Sequence, residues 1–403
     1  MRLAGLKGLL PLCFILVVAT SQLLVSVAVE DGSRIPCFVM GQVVTAPYNP
    51  FTSLFIEDPL FNYGLYPLPT NINLRDKKKL DRVYYPRTAD TLAESYDVIV
   101  FYDARVDHWT SRQFRDIGEV FREAGMVSVA VHSGSWTVWE GTTLYDLSPI
   151  SDYDSRYHKP WRMRFRRERE PVFLRFIDLG LEKAIGSAYA ILTVKDGATI
   201  WADMVPQGTP WLVSWSPGGQ NAGLQWVFGD KFDAGWWGVR PEHLGKNRYS
   251  LDFATNLLLY SLDRPLIGDI HARREARQML STLRTRKYLV LSMLDWAERF
   301  GARTLPISRG LLELERDAEE AVDLYLEQEY AAAISFIDEL DSRVSDLGLE
   351  ATRIKDQALF WVFISEWLAV TSVSLVAASV LWSLMVRRRM YRPAGGTRFR
   401  ADA

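Results

Sequence analysis

Val131-His132-Ser133-Gly134-Ser135 closes an apolar run, Val127 to Val131, and sets two hydroxyls beside an imidazole. A serine becomes a nucleophile when a histidine takes its proton and a carboxylate holds that histidine. Such a serine stands on a sharp turn where a strand enters a helix. Ser133 and Ser135 are therefore the candidate nucleophiles, and His132 is the candidate base. Neighbours along a strand point to opposite faces, which places His132 badly for Ser133. The stretch reads first as a strand running into its loop.

Other residues suggest binding rather than bond making. The five histidines, at 108, 132, 158, 243 and 271, have no ligand-like local spacing, so the sequence names no metal and no cofactor. Asp103 and His108 follow one apolar run and His132 follows the next. All three would meet at the C-terminal edge of an α/β sheet, where such folds bind ligands. A second group is Trp-rich: Trp201, Trp211, Trp215, Trp226, Trp236 and Trp237. Asp230 and Asp233 beside Trp236 and Trp237 have the chemistry of a sugar cleft, in which rings stack and carboxylates take hydroxyls. Packing of large rings in the core accounts for the same residues. Arg162, Arg164 and Arg166 alternate with Met163 and Phe165, so a strand there carries one basic and one apolar face. That face suits an anionic lipid surface, a glycan or an acidic protein, or else it is a solvated edge strand whose charge blocks unwanted pairing.

The elements that would hold these residues follow from periodicity. Pro36 to Val44 reads as a strand, and the aromatic passage Pro47 to Pro69 as packed loop. Asp97 to Tyr102, DVIVFY, is a short continuous apolar run of the kind buried on both faces of a parallel sheet. Thr110 to Glu123 has Phe114, Ile117 and Phe121 at helical spacing, with Gly125 as its C-terminal stop. Strand, helix and strand in that order imply an α/β domain. Further strands are expected at Ala188 to Val194 and Pro210 to Trp215, and a helix from Asp252 to Leu262. Leu312 to Val344 is spaced as a helical hairpin folded at Gln328-Glu329, a stalk within 268–357.

The ends place the chain at a membrane. The protein has 403 residues, 48% of them hydrophobic, and a net charge of -2, which gives no basic field for nucleic acid. Residues 1–28 read as a signal peptide, with Arg2 and Lys7 before an apolar stretch and Ser26-Val27-Ala28 at its end, or as an uncleaved anchor. Leu368 to Val386 carries no charge and is followed at once by Arg387, Arg388 and Arg389. The expected span is 360–386, and 387–403 is a basic cytoplasmic tail by the positive-inside rule. The large domain is then extracytoplasmic at the plasma membrane. Cys13 leaves with the signal and Cys37 stands alone, so no intramolecular disulfide is expected. Ser372, Val376 and Ser379 form a small-residue side through which the span would meet itself or another subunit.

From Arg34 to Leu266, the DVIVFYDA strand, the helix beginning near Thr110 and the VSVAV strand ending in a small-residue loop resemble the class I glutamine amidotransferase-like superfamily. The tail resembles that of its exported, membrane-anchored members. The resemblance implies a mainly parallel, flavodoxin-like α/β domain over 33–267. Catalytic members use Cys within Gly-x-Cys-x-Gly, a distant His, and a Glu two residues after it. Here the matching segment is Val131 to Ser135, with Ser133 for the Cys and neither outer Gly. Arg240-Pro241-Glu242 stands where His-Pro-Glu would, so the base is replaced as well. The expected function is a non-catalytic displayed module for ligand binding or protein assembly. The alternative is a serine-dependent hydrolase acting on an amide, ester or glycan at the cell surface.

Overall fold

The computed structural model describes residues 34–41, 50–68, 72–102, 104, 109–131, 141–157, 160–166, 171–183, 185–186, 189–218, 222–230, 232, 237 and 247–391. Two compact units divide the chain between Ile270 and His271.

The first unit is α/β. Its strands are β1 (Ile35–Gly41), β2 (Phe61–Pro67), β3 (Val98–Tyr102), β4 (Val127–Val131), β5 (Ile150–Tyr157), β6 (Trp161–Phe165), β7 (Ile185–Gly186), β8 (Tyr189–Val194), β9 (Thr199–Val205), β10 (Thr209–Trp215) and β11 (Gln225–Phe228). Nine of them form one sheet in the order β2-β1-β3-β4-β11-β10-β9-β6-β7, and β5 pairs with β8 separately. The sheet is mixed. From β2 to β11 the neighbours are parallel, and from β11 to β7 they are antiparallel.

Helices cover both faces. They are α1 (Pro50–Glu57), α2 (Leu74–Tyr84), α3 (Ala89–Ser95), α4 (Ser111–Glu123), α5 (Thr143–Leu147), α6 (Pro171–Asp178) and α7 (Ser250–Ser261). Side-chain alternation sends Cys37, Val39, Val98, Val100, Val127 and Val129 to one core with α1, α6 and α7. The intervening Phe38, Met40, Ile99, Phe101 and Ala130 enter the other core with α3, α4 and α5. This is why Val98–Tyr102 and Val127–Val131 are apolar at nearly every position, Ser128 excepted: each strand has two faces to bury.

Local chemistry fixes α4. Thr110 caps it in a box with Gln113, whose side chain returns to the Thr110 amide at 2.8 Å. Gly125 follows at φ +70, the left-handed position that glycine adopts without strain. The aromatic passage expected to be packed loop instead contains α1 and β2. Phe51, Leu54 and Phe55 are buried, so its aromatics are the apolar side of a short helix. The Arg-rich strand also differs from expectation. β6 lies between β9 and β7 rather than at the edge, with Trp161, Met163 and Phe165 buried and Arg162 and Arg164 exposed. Arg166 is not free for a partner, because its Nε and Nη2 reach Asp203 at 2.5 and 2.8 Å.

The second unit is helical: α8 (Ile270–Arg299), α9 (Leu305–Leu326) and α10 (Tyr330–Tyr391). The hairpin turns at Gln328, φ +65, as its spacing predicts. The hairpin does not stand alone. Leu280, Leu283, Val290 and Leu294 of α8 share its core with Leu311, Leu314, Ile337 and Leu340, so a third helix covers the apolar side. Helix α10 is 62 residues long and leaves this core after Ala358. Beyond that point it is long and apolar enough to cross a membrane, and none of its apolar stretch is buried.

Candidate functional site

Five strand ends share one row. Pairing sets Pro67 beside Gly41, Gly41 beside Tyr102, Tyr102 beside Val131, and Val131 beside Phe228. This is the C-terminal edge of the parallel half, the place where ligands meet such sheets. The row is tight: Gly41 has φ +125, and a Cβ there would sit 1.8 Å from the Tyr102 carbonyl oxygen. Asp103 and His132 follow Tyr102 and Val131 in sequence. They lie outside the described residues, as do His108, Ser133, Ser135, Asp233 and Trp236.

Asp230 and Trp237 are described, and they are core residues rather than the walls of an open cleft. Each is 1% exposed. Asp230 accepts hydrogen bonds from Trp211 Nε1 at 3.3 Å, Trp237 Nε1 at 3.1 Å and the Phe232 amide at 2.9 Å. The Trp211 and Trp237 rings stack at 6.0 Å, and both lie against Phe253. A sugar needs exposed ring faces, and these are taken up by other rings. The carboxylate ties two indoles and a loop amide to the end of β11, which satisfies donors that burial would otherwise leave unpaired.

A second polar cluster was not visible in the sequence because its members are far apart along the chain. Tyr66, at the end of β2, donates to Asp81 of α2, and Gln113 of α4 donates to Tyr66 Oη at 3.2 Å. Lys77 Nζ reaches the other Asp81 oxygen at 2.7 Å. Burial, and then the hydrogen bond to Asp81, push the Tyr66 phenol well above its usual range. Tyr85 is pushed the same way by burial and by Asp116. A phenol held neutral in this way is a donor and not a base, so the cluster joins α2 and α4 to the strand end.

Two further features bear on chemistry in the α/β unit. Cys37 is fully buried in β1, and burial together with Asp97 pushes its thiol up. Thiol chemistry needs the thiolate and access to it, and Cys37 has neither. A cavity of ≈ 20 Å³ is lined by Ser128, Ser148, Gln225 and apolar neighbours, room for about one water. Among the described residues no group of three or more His, Cys, Asp or Glu is placed to hold a metal ion.

On α10, Ser372, Val376 and Ser379 are exposed, and the Ser379 hydroxyl donates to the Leu375 carbonyl of its own helix at 2.8 Å.

No protein family matches the chain, and no curated protein matches it. Among solved structures, the chain is similar to the cytoplasmic protein STM1381 from Salmonella typhimurium LT2 at 13% identity. The match covers 56% of this chain and 99% of that one, with a TM-score of 0.41.

Proposed function

We propose that the chain is a membrane-anchored module that displays an α/β domain for ligand binding or protein assembly and does no catalysis of its own. The observation that carries this reading is the continuity of α10. One helix runs from the buried core of the bundle, through Ala358, into a stretch whose large side chains, Trp361, Trp367, Leu375 and Trp382 among them, are more than half exposed. In water that surface would aggregate, whereas in a bilayer it is solvated. By the positive-inside rule, Arg387, Arg388 and Arg389 at the end of the span support a cytoplasmic C-terminus with the α/β domain outside.

The strand order β2-β1-β3-β4-β11 supports the flavodoxin-like reading, since the five parallel strands follow the order 2-1-3-4-5 of that fold. The inert environment of Cys37 supports a binding role over thiol chemistry. The binding edge is the row Gly41, Tyr102 and Val131, with Asp103, His108 and His132 following in sequence. The small-residue side of the span is the proposed contact with a partner helix.

Intact cells treated with protease should lose the α/β domain and keep a C-terminal tag. Protection of the domain would reverse the orientation. Labelling by a fluorophosphonate that disappears in Ser133→Ala would replace the binding reading with the hydrolase.

A further inference from the structure

The end of the helical bundle nearest the span has features that an anchor alone does not need. Within this unit, the register between helices can be followed residue by residue. Thr352 Oγ1 lies 3.9 Å from Met293 Sδ, and a Cβ on Gly348 would meet Val290 at 3.6 Å. Helices α8 and α10 run parallel, so seven residues beyond Met293 brings Phe300 level with Leu359. Ala358 is the last buried residue of α10, so the turn at Phe300 to Thr304 marks the end of the bundle.

The thickness of a bilayer then locates that turn. Leu359 to Val386 at ~1.5 Å per residue covers about 42 Å, the full depth of a bilayer with its headgroups. With Val386 and its arginines at one surface, Leu359 lies at the outer boundary of the opposite headgroups. Phe300 lies at the same level. Phe300 is 46% exposed, with its ring 4.5 Å from Trp296, and Phe360 and Trp361 are 58% and 61% exposed at that depth. Arg303 is exposed in the same turn, a cation where lipid phosphates stand. Amphipathic aromatics and arginine are the side chains suited to that boundary.

We propose that the turn between α8 and α9 rests on the bilayer, with Phe300 inserted among the headgroups and Arg303 on their phosphates. The bundle is thereby held at the membrane by two contacts, the span and this turn, and a second contact fixes its orientation as a single helix does not. The proposal rests on the reading of α10 as a span.

The test uses the full chain in vesicles of phosphatidylcholine and phosphatidylglycerol whose lipids carry a contact quencher near the headgroup. Single cysteines labelled with a small fluorophore replace Phe300, Leu312, Leu289 or Val376 in a Cys13→Ser background, and the fully buried Cys37 is kept. Leu312 and Leu289 are as exposed as the turn, at 66% and 61%, but lie higher on the bundle. We expect quenching at Phe300→Cys several-fold above that at Leu312→Cys and Leu289→Cys, and strong quenching at Val376→Cys when the quencher is moved into the chains. Quenching at Val376 with none at Phe300 overturns the proposal and leaves the span standing. No quenching at Val376 removes the span and the proposal together. Equal quenching at Phe300, Leu312 and Leu289 also overturns it, because the turn would then be no closer to lipid than the rest of the bundle.

Discussion

The tryptophans of the two units have opposite surroundings. In the α/β unit Trp161, Trp211, Trp226 and Trp237 are fully buried, and in the helical unit Trp361, Trp367 and Trp382 are 57% to 71% exposed. Four buried indoles have polar partners as well as rings, Trp211 and Trp237 on Asp230, Trp226 on Ser261 at 2.7 Å and Trp201 on Ser214 at 2.6 Å, whereas the Trp161 N–H is buried without one among the described residues. The exposed ones stand on a single helix and cover nothing. A large ring with one polar atom suits two environments, a core that pairs the N–H and an interface that wets it. The contrast sets apart α10, whose apolar stretch is long enough to cross a membrane and is not buried.

Stability measurements on the detergent-solubilised chain would sharpen or break that contrast. Trp211→Ala should cost about 3–5 kcal/mol in urea unfolding, from lost contacts and the cavity left behind. Trp382→Ala should change the same midpoint by less than about 0.5 kcal/mol. Similar values for the two would end the distinction between the units.

Asp230→Ala should come next. It leaves two indole donors and one amide short of an acceptor, a loss of about 1–3 kcal/mol once water takes the vacated space. Asp230→Asn keeps an acceptor and should lose less. A loss confined to glycan binding, with stability unchanged, would instead restore the cleft reading of Asp230 and Trp237.

Gly41→Ala should destabilise the α/β unit by about 1–3 kcal/mol for the backbone alone, with the collision at Tyr102 in addition. Thermal unfolding of the two units, followed separately, should show the loss in the first only.

Tyr66 adds a dependence on pH. Its folded-state pKa is raised, so its contribution is fully present below the phenol's ordinary value and is lost as pH rises above it. Tyr66 should therefore lower the stability of the α/β unit above about pH 10 by up to ~1.4 kcal/mol per pH unit, and Tyr66→Phe should remove that share of the slope and leave that of Tyr85. An unchanged slope in Tyr66→Phe would remove Tyr66 as its source. A small effect of opposite sign belongs to the bundle. Gln328 holds φ +65, and Gln328→Gly should stabilise the hairpin by about 0.5–1 kcal/mol. A lower thermal midpoint would mean that the Gln side chain contributes more than its backbone strain costs.

Much of this architecture is written locally. Val98–Tyr102 and Val127–Val131 are strands because short, almost wholly apolar runs have nowhere to go but a sheet covered on both sides. Thr110 with Gln113 starts α4, Gly125 follows its end, and alanines and tyrosines at helical spacing define the hairpin at Gln328. The long uncharged run ending in three arginines marks a candidate membrane span by composition alone. Patterns of this kind need only neighbours within a few residues.

Tertiary structure decided what depends on distant pairs. Nothing near Phe61 announces β2, because its strand character comes from pairing with β1. The antiparallel pairing was not legible either, although Pro210 to Trp215 reads as a strand, since β6 reads as an edge strand until β7 is laid against it. Asp230 with its tryptophans looked like a cleft because Asp and Trp have the same sequence signature whether the rings face a sugar or each other. Only the fold, by stacking Trp237 on Trp211 and directing both indoles at one carboxylate, turned those residues inward. Burial is a property of the whole packed chain, and a stretch of ten residues does not contain it.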